Sequence, residues 1–193
     1  MPAVACLMNP TEGYTLTAAL WRPGQGAAQK IADTNGNQSD APDLRLTFAG
    51  ANPAVILYAK RTDRFFDNHD QVWIVRSSDG GATWAEPVAV PNDGGNSMGR
   101  PVSLASDSKG RLAATAWVDG GNQDGTRCGA PKLLRPGTGT AWTICAPETT
   151  GVPTRDAVYP ELLFAGNDKL YMAFTTGQEA GALKKGLVLW RER

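Results

Sequence analysis

Histidine is nearly absent from this chain of 193 residues, with His69 the single example, and there are only three cysteines. A zinc site needs several nitrogen or sulfur ligands. This sequence offers no such set, so no metal centre is expected and His69, within D-N-H-D, reads as a surface-loop residue. Net charge is missing as well: Lys plus Arg and Asp plus Glu each total 19. With no basic field to hold phosphates or anionic lipid, nucleic acid and a charged membrane surface are excluded as partners. Long apolar runs are lacking too. Residues 54–59 make a run of about six, where roughly 20 are needed to cross a bilayer, so no membrane insertion is expected. The opening M-P-A-V-A-C-L-M-N-P has no basic region and too short an apolar stretch for a secretory leader, so any export signal lies outside this chain.

Helix signal is also scarce. Twenty-two glycines and 13 prolines leave few segments long enough for three turns. Short runs rich in β-branched and aromatic residues are present instead, such as A-V-I-L-Y-A (54–59), Q-V-W-I-V (71–75) and K-L-Y-M-A-F (169–174), separated by Gly, Asn, Asp and Pro clusters. The chain is therefore expected to be all-β.

The strands repeat. R-S-S-D-G-G-A-T-W, starting at Arg76, is echoed by W-R-P-G-Q-G-A-A-Q (21–29) and L-R-P-G-T-G-T-A-W (134–142); aligned on Gly26, Gly81 and Gly139 the copies stand 55 and 58 residues apart. A-A-L-W-R (18–22) returns as L-V-L-W-R (187–191), and A-P-D-L-R-L-T-F-A-G (41–50) as A-V-Y-P-E-L-L-F-A-G (157–166), 116 residues on, with G-R-P-V-S-L-A (99–105) between them. Four short strands per unit of about 57 residues describe the four-stranded antiparallel blade of a β-propeller. The expected division is an incomplete blade over 1–40, whole blades over 41–96 and 97–150, and an incomplete blade over 151–193, about three and a half blades in all. Such a set cannot close a ring of four to eight blades. The remaining blades are expected from sequence outside this piece or from a partner chain.

Within the turn, Asp79 is expected to accept N–H groups two and three residues on, Gly80 or Gly81 to supply positive φ, and Trp84 to pack back over the hairpin. The pattern S-x-D-x-G-x-T-W, formed by Ser77, Asp79, Gly81, Thr83 and Trp84, resembles the Asp-box of sialidases and other bacterial-neuraminidase-repeat (BNR) propellers. The other copies are degenerate, with Gly24 and Gly137 at the aspartate position and Gln29 at the tryptophan. The resemblance implies a six-bladed or similar ring, export to the periplasm or outside the cell, and glycan as ligand. Export would let disulfides persist. Cys128 and Cys145 flank the third hairpin nearly symmetrically about Gly137, so a bridge across adjacent strands is expected; two reduced thiols are the alternative, and Cys6 is left single and buried.

In a propeller the Asp-box turns share one face and ligand sites gather on the other, so Arg22, Arg135 and Arg191, which recur at the structural turn, are expected to be structural staples or solvated rim residues. The ligand-face candidates are Asp63 and Arg64, with Asp67, His69 and Asp70, from one loop, and Asp119 and Arg127, with Asn122 and Asp124, from the next. Arg100, Arg155 and Tyr159 stand just before first strands, nearest the axis, and are the catalytic candidates. A sialidase needs three arginines to clamp the substrate carboxylate, a tyrosine nucleophile paired with a glutamate, and an aspartate acid/base. The Arg-Ile-Pro segment that opens the family's first blade is absent, and Glu161 lies on the same strand as Tyr159 whereas the family draws its glutamate from another blade. Two readings follow: a fragment of an exported glycoside hydrolase acting on sialosides or related glycans, inactive by itself, or a non-catalytic propeller binding glycan or protein through its loop face. No cofactor is expected. The oxygen-rich loops 92–96 and 119–125 are the calcium candidates, with plain turns as the alternative.

Overall fold

The computed structural model describes residues 2–8, 16–34, 43–63, 67–90, 98–120, 128–136, 142–145, 158–176 and 186–192. Among them the chain is all-β, with four antiparallel sheets in which consecutive strands are neighbours. Sheet 1 holds β1 (Val4–Met8), β2 (Leu16–Trp21) and β3 (Gln29–Thr34). Sheet 2 holds β4 (Asp43–Ala49), β5 (Asn52–Asp63), β6 (Asp67–Arg76) and β7 (Val88–Ala89). Sheet 3 holds β8 (Met98–Ser106), β9 (Leu112–Gly120), β10 (Cys128–Pro136) and β11 (Trp142–Cys145), and sheet 4 holds β12 (Val158–Phe164), β13 (Leu170–Thr176) and β14 (Gly186–Arg191).

Side chains alternate between the two faces of a strand, and here each inner sheet buries both. Ala54, Ile56 and Tyr58 of β5, with Val72 and Ile74 of β6, pack forward onto Val102, Leu104, Leu112, Ala114, Ala116 and Leu134 of sheet 3. The interleaved Val55, Leu57 and Val75 pack backward onto Ala18 and Leu20 of sheet 1. Sheet 3 repeats the arrangement, sending Ala113 and Leu133 forward to Leu170, Leu162, Phe164 and Trp190 of sheet 4. This accounts for the continuously apolar run of β5, whose alternate residues serve a neighbouring sheet on either side.

The first strands of sheets 2, 3 and 4 lie side by side, with β8 between β4 and β12. Polar groups tie neighbouring sheets at nearly constant sequence separation. Asp43 Oδ2 accepts from the Val102 amide at 3.0 Å, 59 residues on. The Ser103 hydroxyl donates to Glu161 at 2.9 Å, 58 residues on, and accepts from the Leu162 amide at 3.0 Å. Asp168 accepts both the amide and the hydroxyl of Ser108, at 2.9 and 2.7 Å. Arg22 donates to the Gly80 carbonyl and Arg135 to the Glu192 carboxylate. A given position in one sheet thus meets its counterpart in the next, the relation expected when one unit is repeated by rotation.

The strand registers revise the cysteine expectation. Leu133, not Cys128, stands opposite Cys145, and Cys128 stands opposite Gly120. Leu133 lies five positions along β10 from Cys128, about 17 Å of extended chain, whereas a disulfide needs Cα atoms within about 7 Å. The register therefore does not bring the two cysteines opposite each other. Cys6 is a free, half-buried thiol on β1.

Candidate functional site

The antiparallel order gives every sheet two distinct ends. At one end lie the turns between first and second strands together with the Ser77–Trp84 turn, tied by a 2.9 Å bond from the Gly80 amide to Asn52 Oδ1. At the other lie the ends of β5 and β9, the starts of β6 and β10, and the starts of β8 and β12.

The first end is built by hydrogen bonds. The buried Ser77 hydroxyl accepts from the Gly81 amide at 2.7 Å and the Asp79 amide at 3.3 Å, and donates to Asp79 Oδ1 at 2.7 Å. Asp79 then reaches four residues forward, accepting the Thr83 amide at 2.9 Å and the Thr83 hydroxyl at 2.6 Å. Of the two amides expected at Asp79, that of Gly81 goes to Ser77 instead, while that of Ala82 does bond Asp79, at its backbone carbonyl, at 3.4 Å. Both glycines take positive φ, 71° at Gly80 and 91° at Gly81. Trp84 packs against the core between sheets 1 and 2, its indole Nε1 buried without a hydrogen-bond partner among the described residues. The Thr83 hydroxyl and amide, then Ser77, hold the Asp79 carboxyl far below the ordinary aspartate range.

Two further turns at this end use aspartate alike. Asp107 accepts the amides of Lys109 and Arg111 at 2.9 and 2.7 Å and pairs with the Arg111 guanidinium; burial pulls its affinity for a proton up, but these bonds outweigh it and hold it low. Asp168 is held low by the Ser108 amide and hydroxyl. Sequence reading missed both, because neither turn carries the full motif. All three carboxylates are ionised and committed, and none is placed to donate or take a proton at neutral pH.

Between sheets 2 and 3 at this end a cleft of about 530 Å³ is lined by Asn52, Arg76, Ser77, Thr83, Trp84 and Lys109 among others. Its lining includes two cations and several hydroxyls but no carboxylate; burial lowers the proton affinity of Arg76. It can accommodate a polar or anionic group.

At the opposite end, Asp63 and Asp67 pair at the tip of β5 and β6, with His69 opposite Arg61 and Asp70 opposite Lys60, while Asp119 on β9 faces Gly129. Arg100 and Tyr159 lie within β8 and β12, each at a register shift beside a proline, Pro101 or Pro160. A proline has no amide hydrogen for the ladder, so both adjoining first strands break pairing at an Xaa-Pro step. Arg64, Asn122, Asp124, Arg127 and Arg155 lie outside the described residues, as do the loop 92–96 and all of 119–125 except Asp119 and Gly120. Among the described residues no three His, Cys, Asp or Glu side chains gather to hold a metal, and no helix is long and apolar enough to cross a membrane.

No family model matches the chain and no curated protein resembles it. Among solved structures, it resembles a crystal structure of a protein of unknown function from Dyadobacter fermentans DSM 18053, with a TM-score of 0.56 and 13% identity over 84% of this chain. That match takes in 51% of the other protein, so this chain spans about half its length. The likeness is one of fold: the arrangement of sheets recurs in a protein of very different sequence.

Proposed function

We propose that this chain is a segment of a β-propeller of the sialidase-like, Asp-box class, from an exported protein, and that it binds glycan through the end of its sheets opposite the Ser77–Trp84 turn. The observation that carries the reading is the commitment of Asp79. Its carboxylate is consumed by Ser77 and Thr83 within its own turn, so that end acts as a fastening and the opposite end is left for ligand. The cross-sheet bonds at separations of 57–60 residues support the propeller, and the adjoining β4, β8 and β12 are the strands that would surround its axis.

For this chain we favour binding over hydrolysis. Glu161, the carboxylate nearest Tyr159 in sequence, takes the Ser103 hydroxyl, a bond that fastens sheet 4 to sheet 3 rather than activating a nucleophile. One observation favours the hydrolase reading: Arg100 and Tyr159 occupy matching Xaa-Pro steps in adjacent strands, as a substrate clamp and a nucleophile facing one axis would. The test is saturation-transfer NMR with sialosides, alongside hydrolysis of a fluorogenic sialoside, on the chain and its Arg100→Ala variant. Saturation transfer that falls in the variant, without turnover, supports binding at this end. Turnover lost in Arg100→Ala would establish the hydrolase, and saturation transfer unchanged by the substitution would move the site elsewhere.

A further inference from the structure

Strands β2, β6, β10 and β14 each close on an arginine: Arg22, Arg76, Arg135 and Arg191. Backbone hydrogen bonds put these in phase. The Ser77 amide donates to the Pro53 carbonyl and the Glu192 amide to the Leu170 carbonyl, both at 3.0 Å, so Ser77 and Glu192 hold equivalent places, each one residue beyond its arginine. In sheet 3 that place belongs to Pro136, one residue beyond Arg135. Between sheets 3 and 4, Arg135 reaches forward to this place and meets the Glu192 carboxylate. Between sheets 2 and 3, the same reach from Arg76 leads toward Pro136, whose side chain carries neither charge nor acceptor.

The turns between first and second strands widen the difference. In sheet 3 the Asp107 amide donates to the Arg111 carbonyl and the Gly110 amide to the Asp107 carbonyl; in sheet 4 the Ala165 amide donates to Lys169 and the Asp168 amide to Ala165. Gly110 and Asp168 both take positive φ, 77° and 58°. Lys109 is therefore the counterpart of the uncharged Asn167. The junction between sheets 3 and 4 sets a cation against an anion, whereas the junction between sheets 2 and 3 sets Arg76 and Lys109 on one cleft of about 530 Å³ with no carboxylate in its described lining. Both sheets that form this cleft have four strands. Burial makes the Arg76 charge costly, and Asp168, which feels the charge of Lys109, gives its oxygens to Ser108.

We propose that the cleft between sheets 2 and 3 binds an oxyanion, phosphate or sulfate, between Arg76 and Lys109, where it takes the part that Glu192 plays one junction further on. A guanidinium carries five N–H donors and an ammonium three, so a bond that Arg76 makes elsewhere leaves donors for the anion. Charge-assisted bonds of this kind are the strong ones. The Ser78 hydroxyl and the side-chain amide of Asn52, whose Oδ1 accepts from the Gly80 amide, line the same cleft and add neutral donors. The volume lies within the range of small-molecule sites and leaves room for a sugar that bears the anionic group. The anion is one more tie between sheets at the turn end. It takes no part in glycan binding at the opposite end, so either reading can fail without the other.

The experiment is phosphorus NMR relaxation of inorganic phosphate titrated with the chain at neutral pH, ionic strength held constant with sodium chloride and sodium sulfate added as competitor. The expected result is saturable binding that sulfate displaces. Lys109→Gln, at an exposed position, should weaken it about tenfold or more, the loss of one charge-assisted bond. Lys30→Gln removes the same charge from sheet 1, where Lys30 pairs with Asp33, and should leave it unchanged. Pro136→Glu, which puts a carboxylate where sheet 4 has Glu192, should abolish it. A hexose phosphate that displaces phosphate at lower concentration than sulfate does assigns the group to a sugar, and one that does no better assigns it to the free ion; both support the site. Absence of saturable binding would overturn the proposal. Equal losses in Lys109→Gln and Lys30→Gln, or full affinity in Pro136→Glu, would overturn it too.

Discussion

Replacing Ser77 with alanine tests the most constrained group in the molecule. Ser77 is 6% exposed, and its hydroxyl is the acceptor for the buried Gly81 amide at 2.7 Å and for the Asp79 amide at 3.3 Å. Alanine fills nearly the same volume, so almost no cavity forms. The cost is the Gly81 amide, left without an acceptor inside the turn, and an unsatisfied buried donor of that kind costs about 1–3 kcal/mol. With a urea dependence of about 2 kcal/mol/M, a 2 kcal/mol loss moves the unfolding midpoint down by about 1 M. The assay is urea unfolding followed by tryptophan fluorescence, with the exposed neighbour Ser78→Ala as control, expected within about 0.5 kcal/mol of the starting protein. Asp79→Ala should cost less than Ser77→Ala, since Asp79 is exposed and water replaces it for the Thr83 groups. Equal midpoints for Ser77→Ala and Ser78→Ala would refute the view that Ser77, more than the aspartate, holds the turn closed.

Gly81→Ala should destabilise by about 1–3 kcal/mol from the positive φ alone, and because the added carbon would lie 2.6 Å from an Arg22 guanidinium nitrogen, thermal unfolding should also show the Arg22→Ala substitution costing less in this background than alone. Stability should fall as the pH is lowered below about 4: Asp79, Asp107 and Asp168 are held below their ordinary range when folded, so the unfolded chain binds protons first, and Asp79→Asn should flatten that acid limb in melts across pH 2–6. The chain denatured without reductant should titrate three thiols with a thiol reagent, since the β10–β11 register keeps Cys128 and Cys145 apart; a single reactive thiol would contradict that register.

Strand positions were legible because runs such as 54–59 are too short and too β-branched for buried helices, and turn residues bound them. Their two-sidedness was less so: with Val55 and Leu57 serving one sheet and Ile56 and Tyr58 another, every position is apolar and the alternation disappears. The expected cysteine pairing is likewise not mirrored in the strand register. Symmetry was taken about Gly137, but the register pairs Pro136 with Trp142 and Leu133 with Cys145, so the hairpin is centred on Gly139. Alignment on glycine hid the fourth arginine. The Ser77–Trp84 turn has one more residue before Gly81 than its counterparts have before Gly26 and Gly139, which set Arg76 out of phase with Arg22 and Arg135. Strand register restores it, with Arg76 opposite Ala54 and Arg191 opposite Tyr171.

That restored arginine bears on where chemistry can lie. At the turn end three aspartates are engaged by fastenings: Asp79 by its own turn, Asp107 by Arg111 and two amides, Asp168 by the neighbouring sheet's Ser108. Two arginines there do the same work, Arg22 and Arg135 spanning from sheet to sheet, while Arg76 lines the cleft between sheets 2 and 3. A group that joins two sheets cannot follow a substrate through a change of charge or position without loosening the junction it makes. An evolving site would therefore draw on residues the junctions do not use. In this chain the candidates at strand starts and second-to-third turns, Arg100, Tyr159, Asp63 and Asp119, are placed at the end away from those fastenings. The opposition of the two ends, more than any single motif, is the reason to look for ligand there.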